Sequence, residues 1–117
     1  MTEPPTYRVR LEVNARDDIR RIHEWLVEQG AHDAADALVV ALLEKIETLR
    51  DFPMRGPVVR EFETLGFVDF RQIVMPPYRI VYEIAGDEVV ILLVTDGRRD
   101  TRILIQRFMP GNRPGDQ

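Results

Sequence analysis

The sequence contains no cysteine, which excludes disulfide scaffolds, thiolate metal sites and cysteine nucleophiles. Lysine is almost as scarce, since every basic residue except Lys45 is an arginine. Arginine suits planar, bidentate contacts to carboxylates and phosphates, whereas lysine is the amine that transfers protons when its pKa is depressed. The chain is therefore well supplied for binding and poorly supplied with amine acid–base groups. No uncharged apolar run approaches the roughly 20 residues that span a bilayer. The start, Met1-Thr2-Glu3-Pro4-Pro5, lacks the basic and apolar regions of a signal peptide, so a cytoplasmic location is expected and no membrane partner. Phosphate-cradling Gly-x-Gly and Gly-Lys-Ser/Thr loops are absent. His23-Glu24-Trp25-Leu26-Val27 opens like a zincin helix, but Val27 stands where the second His is needed, and His32 lies past the expected helix end. Neither a metal nor a cofactor is expected.

What is present describes one domain. A chain of 117 residues can bury roughly two thirds of its unfolded surface without a staple. Its 44% hydrophobic and 31% charged content is that of an ordinary globular protein. The net charge of −4 argues against a protein whose main work is gripping phosphate backbones. Residues 1–66 carry 13 acids and 9 bases, whereas residues 67–117 carry 7 of each, so the acidic excess lies in the first half.

Tyr7 to Val13 alternates as a strand with Tyr7, Val9, Leu11 and Val13 inward. Asn14 reads as an N-cap, Ala15, Ile19, Ile22 and Leu26 as one helix face with Trp25 beside it, and Gly30 as the residue past the helix end. A second helix is expected from about Asp33 to Asp51, striped by Ala35, Leu38, Leu42, Ile46 and Leu49 and stopped by Phe52-Pro53; the short connection makes an antiparallel helical hairpin. Phe52 to Pro57 is a turn-rich loop, and Val58 to Phe62 a short extended piece. Phe67–Met75, Tyr78–Ile84 and Val89–Val94 form three strands, split by Pro76-Pro77 and Ala85-Gly86-Asp87. On the middle strand Tyr78, Ile80, Tyr82 and Ile84 share one face, and Arg79, Val81 and Glu83 the other. The last strand is apolar on both faces and should lie centrally, covered on both sides. Thr101 to Phe108 is a final turn or two of helix. The expectation is an α+β fold, β-α-α-β-β-β(-α), with the hairpin packed on a mainly antiparallel twisted sheet. Residues 1–117 form a single domain, its ordered core about 7–108 and a loose tail over 109–117.

Function is concentrated, if anywhere, in the arginines of the sheet half: Arg71, Arg79 and the pair Arg98/Arg99, with Arg102 and Arg107 as extensions. The competing reading pairs Arg71, Arg79, Arg98 and Arg99 with Asp69, Glu83, Asp96 and Asp100 as surface ion pairs. Asp17/Asp18, Glu24/Glu28 and Glu44/Glu47 read as a solvated helix face rather than catalytic carboxylate pairs.

Several blocks, in order, resemble the RelE/ParE superfamily of type II toxin–antitoxin toxins, and within it the ParE branch. They are Asn14-Ala15-Arg16-Asp17-Asp18-Ile19-Arg20-Arg21-Ile22, Leu49-Arg50-Asp51-Phe52-Pro53-Met54-Arg55-Gly56, Phe70-Arg71, Pro77-Tyr78-Arg79-Ile80-Val81-Tyr82-Glu83 and Val94-Thr95-Asp96-Gly97-Arg98-Arg99-Asp100, spanning about residues 7–107. The resemblance implies a toxin that inhibits DNA gyrase, takes part in plasmid stabilization, and is neutralised by a cognate antitoxin whose C-terminal segment wraps the hairpin and sheet. RelE-like relatives instead cleave mRNA on the ribosome. Against their pattern, Arg79 and Arg99 match phosphate-clamping arginines, but the catalytic Tyr position falls near Ile105 and a frequent His position is Asp96. The lysine-rich strand is represented only by Arg71. General acid–base catalysis needs a group that exchanges a proton near neutral pH, so the resemblance points to an inhibitor acting by protein binding rather than an enzyme, without direct nucleic-acid contact. The candidate target- or antitoxin-contacting residues are Arg71, Arg79, Arg98, Arg99, Arg102 and Arg107, with no catalytic residue assigned. A ribosome-dependent endoribonuclease and a non-toxic binding module of the same fold are the alternatives.

Overall fold

The computed structural model describes residues 6–63 and 70–96. Within them run β1 (Arg8–Leu11), α1 (Val13–Glu28), α2 (His32–Glu47) with a 3-10 turn over Thr48–Arg50, α3 (Arg60–Glu63), β2 (Phe70–Met75), β3 (Tyr78–Ala85) and β4 (Glu88–Asp96). The strands lie in the order β1-β4-β3-β2, antiparallel except for the parallel β1–β4 pair. This is the expected α+β fold, two helices on a mixed, mainly antiparallel sheet. The expected final helix, the tail and the start of the Phe67 strand lie outside the described residues.

Local chemistry fixes the boundaries. β1 stops two residues earlier than its alternation suggests, because the Glu12 carboxylate accepts the amide of Asn14 (3.1 Å) and caps α1 there. Val13 thereby becomes the first helical residue and is 57% exposed rather than inward. At the other end Gly30 takes φ 82°, and Gly30 and Ala31 donate to the carbonyls of Val27 and Leu26, both at 2.9 Å. That pair of bonds is a Schellman close, which favours a residue without Cβ. The α2 stripe is as expected, with Ala35, Leu42, Ile46 and Leu49 buried and Leu38 half-buried. Val58 to Phe62 departs from expectation: Val58 forms a bridge to Arg71, and the chain then turns into α3. The β3–β4 turn is two residues long, with Gly86 at φ 63° and no positive φ at Asp87, the pattern of a II′ hairpin.

β4 lies inside the sheet, and both its faces are buried. Val89, Ile91 and Val94 join Ile73, Ile80 and Tyr82 under Ala15, Ile19, Leu42, Ile46 and Leu49 of the helical layer. Val90, Leu92 and Leu93 join Phe70, Val81 and Val59 in a second cluster. The pairing of Val81 with Leu93 but Tyr82 with Ile91 leaves Leu92 as an extra residue. A bulge of this kind flips the side-chain alternation, which is why Leu92 and Leu93 fall in the same cluster.

Asp18 is a correction to the solvated-face reading. It is 7% exposed, and its carboxylate accepts the amide of Val94 at 3.0 Å. β1 pairs with β4 only as far as Ile91, so the β4 amide beyond it takes its acceptor from α1 instead.

Candidate interaction surface

The sheet arginines are neighbours in sequence register but not on one surface. Arg71 pairs with Tyr82 and shares its face with Ile73 and Met75, the face covered by the helices. Arg79 pairs with Val74 on β2 and Thr95 on β4, and points to the opposite face. There its Nε donates to Gln72 Oε1 at 2.7 Å. Gln72, Val74, Val81, Glu83 and Thr95 share that face by register, so among the described residues it carries no His, Lys or Tyr. Tyr78 and Tyr82, the proton-bearing candidates on β3, belong to the helix-side core, as expected. Arg98, Arg99, Arg102 and Arg107 lie outside the described residues.

Arg71 has a structural task that its sequence position does not reveal. Its Nη1 donates to Gly56 O at 2.7 Å and to Met54 O at 3.5 Å, fastening the loop after α2 to β2. Tyr82 completes the fastening from below: its hydroxyl donates to Pro53 O (2.7 Å) and accepts the Gly56 amide (3.1 Å). Burial pushes the Tyr82 phenol above its ordinary pKa, while the Gly56 amide and the nearby Arg71 and Arg55 charges oppose that rise. Gly56 is required by space rather than by backbone angle, since a Cβ there would run into the Gln72 carbonyl and sit 2.8 Å from the Tyr82 hydroxyl. Pro53, Gly56 and Pro57 marked a loop in the sequence, but the lock depends on the Arg71–Tyr82 register, which sequence alone does not supply.

The outer surface of the hairpin is the second candidate region. Arg16, Ile19, Arg20, His23, Asp36, Val39 and Val40 line an open groove between α1 and α2. His23 Nε2 and Asp36 Oδ1, 2.8 Å apart, bridge the two helices beside it, so the histidine of the zincin-like segment serves helix packing. Arg20 is held between Asp17 (3.4 Å) and Glu24 (3.2 Å). Val40 and Leu43 leave much of their surface open to solvent. Among the described residues no group of three or more His, Asp or Glu is placed to hold a metal, and no helix is long and apolar enough to cross a membrane.

A helical hairpin packed on a four-stranded mixed sheet is a fold this chain shares with solved toxin–antitoxin proteins. Three solved structures share it: the chromosomal ParDE toxin–antitoxin system of P. aeruginosa (TM-score 0.65, 16% identity, 80% of this chain and 98% of that one), the RelBE2 toxin–antitoxin complex of Mycobacterium tuberculosis (0.59, 22%, 82% and 97%) and a mutant of the E. coli toxin RelE in the free state (0.57, 17%, 89% and 99%). At these identities the likeness concerns the fold. No curated protein matches the chain. The family model described as the ParE toxin of the type II toxin–antitoxin system, parDE, matches residues 9–101, and the chain belongs to that family.

Proposed function

We propose that this chain is a ParE-type toxin that inhibits DNA gyrase in the cytoplasm, as part of a plasmid-stabilising pair, and is held inactive by a cognate antitoxin. The observation that carries the reading is the ParE family match over residues 9–101. The composition of the Arg79 face agrees with it. Among the described residues that face offers arginine, amide and carboxylate but no imidazole, amine or phenol to exchange protons near neutral pH. Arg79 is then a contact for a protein partner, and Arg98, Arg99, Arg102 and Arg107 extend the same role along the chain. Arg71 contributes by holding the loop at the sheet edge. The antitoxin segment folds as it wraps the hairpin and sheet, covering Val40 and Leu43.

The test is induced expression of this chain alone in a bacterial host, with growth, a DNA-damage reporter and bulk protein synthesis followed together, and supercoiling by purified gyrase measured in parallel. Arrest with the reporter on, translation continuing and supercoiling blocked is the expected result. Arrest with translation stopping first, and mRNA cut within codons, replaces it with the ribonuclease reading; no arrest replaces it with a non-toxic binding module.

A further inference from the structure

The segment from Arg50 to Arg60 begins in the family-like block Leu49–Gly56 and runs past it, and the proposed function gives its own side chains no contact. Its backbone is fixed at many points. Besides the Tyr82 and Arg71 bonds, Gln72 donates to Pro57 O (3.0 Å), Val59 donates to Phe70 O (2.9 Å), and Arg55 reaches Thr48 Oγ1 (2.7 Å). Yet Phe52 is 67% and Met54 63% exposed, the two most open large hydrophobic side chains among the described residues, on either side of a buried Pro53. Burying Phe52 and Met54 inward would have been the ordinary outcome for a loop this well anchored. A rigid loop presenting a large aromatic and a methionine loses little conformational entropy when something covers them.

The charge along that segment is mostly positive. Asp51 is the only acid between Arg50 and Arg60, in a protein of net charge −4. Arg50 is paired with Glu47. Arg55 and Arg60 are exposed and Arg71 half-buried, and none of the three meets a carboxylate within ion-pair distance among the described residues. The loop also abuts the outer edge of β2. Pro57–Val59 cover that edge at Phe70–Gln72, and beyond Gln72 it has no strand neighbour among the described residues.

We propose that Phe52 and Met54, with Arg55 and Arg71 beside them and Arg60 at the end of the same segment, form an anchor point for an acidic segment of the antitoxin that carries apolar side chains and continues along the part of the β2 edge that has no strand neighbour among the described residues. This inference rests on the toxin–antitoxin reading and adds to it the place and the chemistry of one contact. The apolar pair supplies the buried centre and the guanidiniums the rim, the arrangement in which a few side chains carry most of an interface's affinity. A nucleic acid would use the arginines but would leave Met54 without a stacking role, and it would approach a chain of net negative charge.

The experiment co-expresses the chain with the product of the reading frame adjacent to its gene, separates the two, and titrates one with the other by calorimetry. The wild type is compared with Phe52→Ser/Met54→Ser and with Arg60→Glu, whose side chains are exposed. The double variant should bind about thirtyfold more weakly and Arg60→Glu a few fold more weakly, with the salt dependence reduced in the latter. Melting temperatures of the free variants should match the wild type, which separates lost contact from lost fold. Wild-type affinity in both variants overturns the anchor while leaving the antitoxin reading intact. Failure of the wild type to bind at all removes that reading and the anchor with it. Unchanged antitoxin affinity together with variant-sensitive binding of a fluorescent RNA or DNA oligonucleotide also overturns it, and makes the loop a nucleic-acid contact.

Discussion

Gly56→Ala tests the lock beneath the loop most directly. The added methyl would collide with the Gln72 carbonyl and lie 2.8 Å from the Tyr82 hydroxyl and 2.9 Å from the Gln72 carbonyl carbon. Two of these neighbours are backbone atoms of β2, and the third is the hydroxyl that accepts the Gly56 amide. The methyl therefore finds no flexible side chain to push aside. Either β2 moves or the loop lifts, and lifting breaks the Tyr82 and Arg71 bonds. Overpacking of this kind costs about 1–3 kcal/mol. Loss of a neutral Tyr82 hydrogen bond alone adds on the order of 1 kcal/mol. The sum, about 2–4 kcal/mol, corresponds to a melting temperature lowered by roughly 10–20 °C in a domain of this size. Urea unfolding followed by circular dichroism at 222 nm gives the free energy, with the slope checked against the wild type. Tyr82→Phe removes one of the colliding atoms, so the double variant should be less destabilised than the two single variants added together. A melting temperature within about 3 °C of wild type for Gly56→Ala, or full additivity in the cycle, would refute the lock.

Three further outcomes follow from the same contacts. Asp18→Ala leaves the buried Val94 amide without its acceptor and should cost about 1–3 kcal/mol in urea unfolding; a change within experimental error would mean that water replaces the carboxylate. The raised pKa of Tyr82, caused first by its burial, means the folded state favours the neutral phenol. Stability from this group is complete below the unfolded value of about 10 and is lost as pH rises through the folded pKa, a component that Tyr82→Phe should lack when unfolding is compared between pH 8 and pH 11. Charge reversal of Arg79 together with Arg99 should abolish growth arrest on induction while the melting temperature holds, and full toxicity in that variant would place the target contact elsewhere.

The parts of the fold that were legible in the sequence are those where one local signal decides the outcome. Gly30 closes α1 because a Schellman turn needs a positive φ, and the Ala35–Leu42–Ile46–Leu49 spacing sets the buried stripe of α2. The alternation of Tyr78, Ile80, Tyr82 and Ile84 against Arg79, Val81 and Glu83 gave the faces of β3 correctly. What was not legible depends on contacts between distant segments. A Glu is a less common cap than Asn, so Asn14 took the role that Glu12 performs. Asp18 looks like a surface acid until β1 is known to end at Leu11, leaving the Val94 amide to be satisfied. The bulge at Leu92 is invisible in a run of apolar residues because every residue in it suits either face.

The same limit bears on the candidate site. Arg71 and Arg79 come from a block read as one arginine cluster, and parity along each strand would have put them on one face only if the β2–β3 register were shifted by a single residue. The actual register, fixed by the two-residue Pro76-Pro77 connection between Met75 and Tyr78, assigns them opposite tasks. Arg79 stands half-buried on the face away from the helices, bonded to Gln72. Arg71 is spent on two carbonyls of the loop that carries Phe52 and Met54. On the proposed reading, a substitution at Arg71 acts on a partner through the loop's position, and one at Arg79 acts through contact. Arg71→Ala should lower both stability and partner affinity, whereas Arg79→Ala should lower affinity far more than stability. Measuring the two quantities side by side separates a residue that builds the surface from one that is part of it.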